Sequence, residues 1–557
     1  MLQEGKKMSD FRNSTVYQIY VKSFCDSNGD GIGDINGIRQ KLDYLQDLGI
    51  DYLWITPFFR SPMNDNGYDV ADYLDINPMF GTMEDVEALI REAGEHNIRL
   101  MFDMVFNHTS TSHEWFQKAL TGDPKYMNYY IFRDPVDGHS PTNWVSKFGG
   151  NAWEYVPSLG KYYLHLFDVS QADLNWENPE VREELKNVIR FWKAKGVAGF
   201  RFDVVNLISK PDVLEDDFQG DGRRFYTDGP RIHQHLQELV GDTGIADFMT
   251  VGEMSSTSLD NCLRYANPDE KELKMVFSFH HLKVDYKNGQ KWALMEPDFN
   301  ELRRLFVKWQ EGMQDGNAWN AVFWCNHDQP RAVSRFGDDK KYWKESAKML
   351  ASLIHLMRGT PYIYEGEELG ITNPGYTDIS QYQDVESTNY YRILMEEEGR
   401  SKEEALEIIG ARSRDNGRTP MQWDGSEKAG FTDGTPWLGI PANHSYINVE
   451  AEQKDPDSIL NYYKKLVALR KEYEIIADGE IRFTDAGNEN IISYDRMLDG
   501  QKLSVFCNLR GTEQALGTAF EAPAGKILIG NYADTAASDQ AVRIESLRPF
   551  ETKAVLW

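Results

Sequence analysis

The sequence predicts an α/β protein: a (β/α)8 TIM barrel with an irregular insertion after the third strand and a C-terminal antiparallel β-sandwich. Three observations predict it. Eight short apolar runs alternate with longer amphipathic segments between residues 16 and 364. Near-continuous apolar runs suit strands buried on both faces, and regular alternation with helices implies a parallel sheet. Past Glu480 the texture changes to short alternating strands separated by turns. The rival, an open doubly wound sheet, would carry a G-x-G-x-x-G after its first strand, and none is present here.

Taken in order, the expected strands are Val16–Tyr20, Tyr52–Phe58, Leu100–Phe106, Ala198–Val205, Met249–Met254, Met275–Phe279, Ala321–Cys325 and Tyr362–Tyr364. Between them, Ile38–Leu48, Met83–His96, Asn178–Lys195 and Tyr342–Met357 carry a helical period. Two stretches interrupt the pattern. Residues 109–175, rich in Trp, Tyr, Asn, Gly and Pro, are expected to form an inserted subdomain. Residues 371–441 are expected to form a second insertion after the last strand. The barrel domain then spans 1–108 and 176–480, and the sandwich spans 481–557, with strands such as Ile491–Asp495 and Leu503–Leu509.

Composition narrows the function. With 60 basic and 88 acidic residues the net charge is −28, which argues against a nucleic-acid partner, since a phosphate backbone needs clustered positive charge. A small anion can still find a local basic pocket. Met1–Asp10 lacks the apolar core of a signal peptide, and no stretch reaches the length of a membrane span. The four cysteines, Cys25, Cys262, Cys325 and Cys507, are widely spaced without C-x-x-C, as in a reduced cytoplasmic protein. Nothing sets the oligomeric state; a monomer would suffice.

Active residues of such barrels sit at the C-terminal ends of strands. Asp203 ends Gly199-Phe200-Arg201-Phe202-Asp203, and Arg201, two residues earlier, shares its face. A buried arginine requires a partner. Glu253 ends Thr250-Val251-Gly252-Glu253, and Asn326-His327-Asp328 follows Phe323-Trp324-Cys325. Three acids at three strand ends are together much less of a coincidence than any one of them alone.

With Phe102-Asp103-Met104-Val105-Phe106-Asn107-His108, these segments resemble the four signature regions of the α-amylase superfamily, in the same order. The resemblance continues through Arg414–Trp423 and covers nearly the whole chain. It implies that Asp203 is the nucleophile, Glu253 the general acid and then base, and Asp328 the transition-state stabiliser. Retaining hydrolysis needs two carboxyls about 5–5.5 Å apart. Arg201 would keep Asp203 ionised, and a closed pocket should keep Glu253 protonated until it acts. His108, His327 and Arg418 would bind the non-reducing glucose. Asn64-Asp65-Asn66-Gly67-Tyr68-Asp69 resembles the exo-acting loop, with Asp65 gripping terminal hydroxyls and Tyr68 stacking on the ring.

The segment 26–34 reads as the opening of a calcium loop. Oxygen donors would come from Asp26, Asn28, Asp30, the Ile32 carbonyl and Asp34. Gly37 stands where an EF-hand has its bidentate Glu, so this is not an EF-hand. The resemblance implies a structural Ca2+ and no organic cofactor.

Within the superfamily the chain resembles the branch of oligo-1,6-glucosidases, dextran glucosidases and trehalose-6-phosphate hydrolases, and Val204 after the nucleophile fits that branch. Gly220–Pro230, Met254–Leu259 and Phe279–Asp285 are similar to the phosphotrehalose-cleaving members. Lys283 stands where neutral-substrate members tend to carry an acid, and a lysine attracts phosphate as a point charge. Lys283 and Lys291 are the candidates for holding it, Arg223 and Arg224 weaker ones. The expected substrate is a phosphorylated disaccharide, α,α-trehalose 6-phosphate, cleaved to glucose and glucose 6-phosphate. The alternatives are an oligo-1,6-glucosidase on isomalto-oligosaccharides, a transglycosylating sucrose isomerase, and a non-catalytic barrel used for interaction.

Overall fold

The computed structural model describes residues 11–535 and 541–557. The reading of Met1–Asp10 lies outside the described residues. All eight expected strands form: β1 (Val16–Ile19), β2 (Tyr52–Ile55), β3 (Arg99–Met104), β4 (Gly199–Phe202), β5 (Met249–Met254), β6 (Met275–Ser278), β7 (Ala321–Val322) and β8 (Thr360–Tyr364). They pair in parallel in the order β6-β5-β4-β3-β2-β1-β8-β7. A single parallel bridge between Val276 and Asn320 joins β6 to the residue before β7 and closes the ring. Their side chains are almost wholly buried, because helices cover the outside and side-chain layers fill the inside.

Local signals set the helix ends. The expected helix 38–48 starts earlier and divides into α1 (Ile35–Gln40) and α2 (Leu42–Leu48). Asp34 caps α1 by accepting from the Gly37 N–H, Lys41 leaves helical geometry, and Gly49 at φ 85° ends α2. Helix α3 (Met83–Glu95) opens with a Thr82/Asp85 capping box, and α4 (Pro179–Ala194) with Asn178 as cap and Pro179 in the first turn. Helix α5 (Trp343–His355) matches its expected segment.

The first insertion leaves the barrel through His108–Ser110 and returns through Gln171–Asp173, two short strands paired antiparallel. Its neck therefore begins at His108 itself. Inside lies a small antiparallel sheet of Phe132–Arg133, Lys161–Leu164 and Trp153–Val156. Lys210 ties the neck to the barrel, its ammonium 2.7 Å from Asp173 and 2.8 Å from Asn107 Oδ1. The second insertion carries helices Val385–Arg392 and Lys402–Arg412, which pack with Trp292 around Tyr382, Leu394 and Ile409.

The C-terminal domain begins at Glu480, one residue earlier than expected. It has a five-stranded antiparallel sheet and a second pair, Gln514–Ala522 with Val542–Leu547, enclosing Ile491, Phe506, Ile544 and Val555. Buried Arg496 fastens it to the barrel domain through the carbonyls of Leu356, Ile476 and Gly479.

Candidate active site

The three acids converge at the C-terminal mouth of the barrel, around one arginine. Arg201 lies in β4, fully buried. Its Nη1 donates to Asp203 Oδ1 at 2.6 Å and to Asp103 Oδ1 at 2.8 Å, while Nη2 meets Glu253 Oε2. A guanidinium fork spans only a few ångströms, so Asp203 and Glu253 sit close, as a double displacement needs. Burial opposes the charge on Arg201, but Asp103 and Asp203 outweigh it and hold the cation more firmly than in water. Just beyond β4, Val204 adopts φ 35°, ψ 39°. A β-branched residue rarely takes this left-handed conformation, so a strained turn follows the nucleophile.

Asp103 is the buried member of the set, pushed up to about 6 by burial, with Arg201 opposing and Asp203 adding to the rise. It accepts from Trp54 Nε1 at 3.0 Å and the Tyr68 hydroxyl at 2.9 Å.

Asp328 faces the opposite electrostatics. Arg418 Nη2 donates at 2.8 Å, and Arg414 Nη1 and His327 Nε2 each lie 3.4 Å away. Burial works against ionisation, yet His327, Arg414, Arg418 and Lys291 outweigh it and hold this carboxyl well below the usual range. It stays an anion, suited to stabilising developing positive charge on a sugar ring.

The residues expected to bind glucose gather between these acids and the first insertion. Tyr68 lies parallel to His327, ring centroids 5.0 Å apart. His327 Nδ1 is 2.8 Å from Gln18 Nε2, and burial lowers the ring's pKa to about 3, so it remains neutral. His108 is buried, 3.1 Å from the Tyr68 carbonyl and 3.2 Å from Gln171 Nε2. Asp65 accepts from Gln171 and Arg414, and burial raises its pKa to about 7 against the pull of Arg414 and Arg418. Phe148 and Phe167 from the insertion wall the pocket, Phe148 under the Arg414 guanidinium and Phe167 against His108. These contacts place the insertion against the side of the site that holds Arg414 and His108.

Towards solvent, a cleft is lined by Glu253, Ser255, Phe279, Lys283, Tyr286 and Asp328. Lys283 is exposed at its mouth, and among the described residues no acid pairs with it. The surrounding protein and the Arg223 charge push its pKa down. Lys291 is differently placed: its ammonium is 2.6 Å from Glu386 and lies over the Trp292 ring. It acts on Asp328 through its charge but is already paired, which weakens it as a phosphate ligand. Arg223 pairs with Asp221, and Arg224 with Asp217. A larger cavity, about 460 Å³, opens elsewhere, between Phe11, Lys274 and Trp319, and holds none of the three acids.

The loop 26–34 offers only oxygen donors, the chemistry of a calcium site. Its side chains are used locally. Asp26 accepts from the N–H groups of Asn28, Gly29 and Gly31, Asn28 from Asp30, Asp30 from Ile32, and Asp34 from Ser27 and Gly37. Among the described residues no three His, Cys, Asp or Glu side chains group to hold a metal.

Sequence reasoning gave no role to Asp103, Gln18, Trp54, Gln171, Arg414 or Lys147. Asp103 and Arg414 lie within the quoted motifs, and the position of Asp103 near the end of β3 was a usable signal. Gln18, Gln171 and Lys147 carry no local signal, because only the fold brings them here.

Comparison with known proteins agrees with this site. The alpha-amylase catalytic domain family matches residues 18–479. The chain is 53% identical over 508 residues to the trehalose-6-phosphate hydrolase of Bacillus subtilis (strain 168), covering 91% of this chain and 90% of that one. It is 45% identical to the oligo-1,6-glucosidase of Parageobacillus thermoglucosidasius, covering 98% of each. The crystal structure of Bacillus licheniformis trehalose-6-phosphate hydrolase superposes with a TM-score of 0.92 at 51% identity, over 98% of this chain and 99% of that one. With its barrel, its strand-end acids and this match over most of its length, the chain belongs to the α-amylase family of glycoside hydrolases.

Proposed function

We propose that this chain is a retaining, exo-acting hydrolase that cleaves α,α-trehalose 6-phosphate into glucose and glucose 6-phosphate. The observation that carries the substrate is Lys283, which has no ion-pair partner among the described residues and lines the same cleft as Glu253. The unphosphorylated glucose lies among Tyr68, His108, His327 and Arg418, and the phosphorylated one lies in the cleft. Asp203 attacks the anomeric carbon while Glu253, giving up its contact with Arg201, protonates the leaving oxygen. Glucose 6-phosphate departs. Glu253 then takes a proton from water, which attacks the same carbon and releases glucose from Asp203. Asp328 and the fixed dipoles around it stabilise the oxocarbenium-like transition state.

The test is kcat/KM on trehalose 6-phosphate, trehalose and isomaltose. A preference for the first is expected. Isomaltose as the best substrate would replace this reading with oligo-1,6-glucosidase activity, and sugar products other than those of hydrolysis would indicate a transglycosylase.

Two further readings belong to the same proposal. Calcium at Asp26, Asn28, Asp30, Ile32 and Asp34 is supported by the all-oxygen donor set; a bound ion would brace the loop, and a chelator should then lower Tm with KM unchanged. An unchanged Tm removes calcium from the account. A cytoplasmic location is supported by four free, buried cysteines, and no helix among the described residues is long and apolar enough to cross a membrane.

A further inference from the structure

Lys147 lies in the first insertion, far in sequence from every residue of the cleft. Its backbone is pinned there: Lys147 N–H donates to the Leu166 carbonyl at 2.8 Å, and Val145 N–H donates to Asp221 O at 3.1 Å. The side chain crosses from the insertion to the barrel. Its Nζ lies 3.0 Å from Ser255 Oγ, two residues beyond Glu253, and 5.6 Å from the centre of the Tyr226 ring. Ser255 is held in turn by Asn206, which accepts from its N–H at 2.9 Å and donates to its carbonyl at 2.8 Å. The ammonium thus arrives at a fixed point on the cleft wall.

Among the described residues no carboxylate forms an ion pair with Lys147. An ammonium has three donors, and Ser255 takes one. Lys283 and Arg223 are close enough for their charges to act on it, with Asp221 and Asp173 as the nearest counter-charges. Lys147 thus reaches Ser255, which lines the same cleft as Lys283, so two lysines from separate segments serve one cleft in a chain whose net charge is −28. Like charges so placed repel, and an anion between them offsets the repulsion.

We propose that Lys147 is a substrate-binding residue that donates, together with Lys283, to the 6-phosphate of the departing glucose. This rests on the phosphorylated-substrate reading above and adds a specificity-determining residue from the inserted subdomain. It makes the insertion part of the acceptor site as well as the wall of the glucose pocket. Burial, then Arg223 and Lys283, lower the Lys147 ammonium to about 7, against the pull of Asp221 and Asp173. A phosphate with its second pKa near 6 carries close to two charges at neutral pH and favours the protonated lysine. Binding then takes up a proton, so KM for the phosphorylated substrate rises as pH climbs above 7.

The experiment measures kcat and KM on trehalose 6-phosphate and on the neutral p-nitrophenyl α-glucoside, for the wild type and for K147A, K147R and K283A. K147A is expected to raise KM for trehalose 6-phosphate about tenfold or more and leave the aryl glucoside within about twofold, since a charge-assisted contact is lost from one substrate only. K147R should recover most of the loss and abolish the rise in KM between about pH 6 and about pH 8.5, because arginine does not titrate there. Equal losses on both substrates would make Lys147 a mere prop for the Ser255 loop and overturn the proposal, as would an unchanged KM. Loss of phosphate preference in K283A but not in K147A would remove Lys147 alone. A wild type with no preference for trehalose 6-phosphate over trehalose would overturn the reading beneath as well.

Discussion

Arg201 Nη1 lies 2.6 Å from Asp203 and 2.8 Å from Asp103, one buried nitrogen shared by two carboxylates. The arrangement fixes the attacking oxygen and stores a liability, because both acids depend on one cation. R201Q should therefore lose activity and stability together. Breaking a buried pair costs about 3–5 kcal/mol. The stability loss should shrink as pH falls. Without the cation, Asp103 rises further above its unfolded value, and an acid raised in the folded state disfavours folding only where the unfolded chain is ionised. Thermal melts of both proteins at acidic and neutral pH check this; a loss independent of pH would contradict it.

In the proposed mechanism Glu253 is the proton donor, so the effect of removing it should depend on the leaving group. E253Q should lower kcat on trehalose 6-phosphate by about 10²–10⁴. The first step on an aryl glucoside, whose phenolate leaves without help, should suffer much less, and product release should show a burst as the second step becomes limiting. D203N should show neither burst nor turnover. Stopped-flow absorbance at the phenolate band separates the two.

Among the described residues Lys283 has no ion-pair partner, and its effect should be confined to phosphorylated substrate. K283A should raise KM for trehalose 6-phosphate by about 10–100-fold, the range of one hydrogen bond to a charged group. Activity on the neutral aryl glucoside should be little changed. Steady-state kinetics on both substrates decide it, and parallel losses would refute the assignment.

Glu367 tests the electrostatics of the barrel rather than the chemistry. It is buried behind β8, with Tyr463 donating to Oε1 at 2.9 Å and Oε2 without a partner. Burial lifts its pKa from 4.5 to about 8, aided by Glu368 and opposed by Tyr463 and Arg331. An acid raised in this way leaves the fold fully stable below the unfolded value and weakens it as pH rises towards the folded one. E367Q should accordingly raise Tm at about pH 8 and change it little at about pH 4.5. Equal shifts at both would show that Glu367 does not titrate with folding.

Much of this molecule was legible in the chain. Strands β1–β8 are apolar because both faces are covered, and that requirement writes itself into consecutive residues. Asp203 directly follows β4, Glu253 lies near the end of β5 and Asp328 a few residues past β7, so strand position marked the candidates and the resemblance gave them roles. Caps such as Asn178 and Thr82 act over three or four residues, so their signal is equally local. The insertions were visible only as lost periodicity; the helices inside residues 371–441 were missed because their apolar faces pack on Trp292, outside the segment.

What only the tertiary structure decided is which charges meet. Lys283 and Lys291 look alike in sequence, yet Glu386, about a hundred positions along, takes Lys291 and leaves Lys283 open to the cleft. Asp103 reads as one more strand-end acid until Arg201, Trp54 and Tyr68 close on it. Lys147 carries no signal at all beside Ser255. Periodicity and capping are local, so the sequence determined the barrel and the position of its acids. Ion pairing and desolvation depend on neighbours brought from distant segments, and these the folded chain alone supplied.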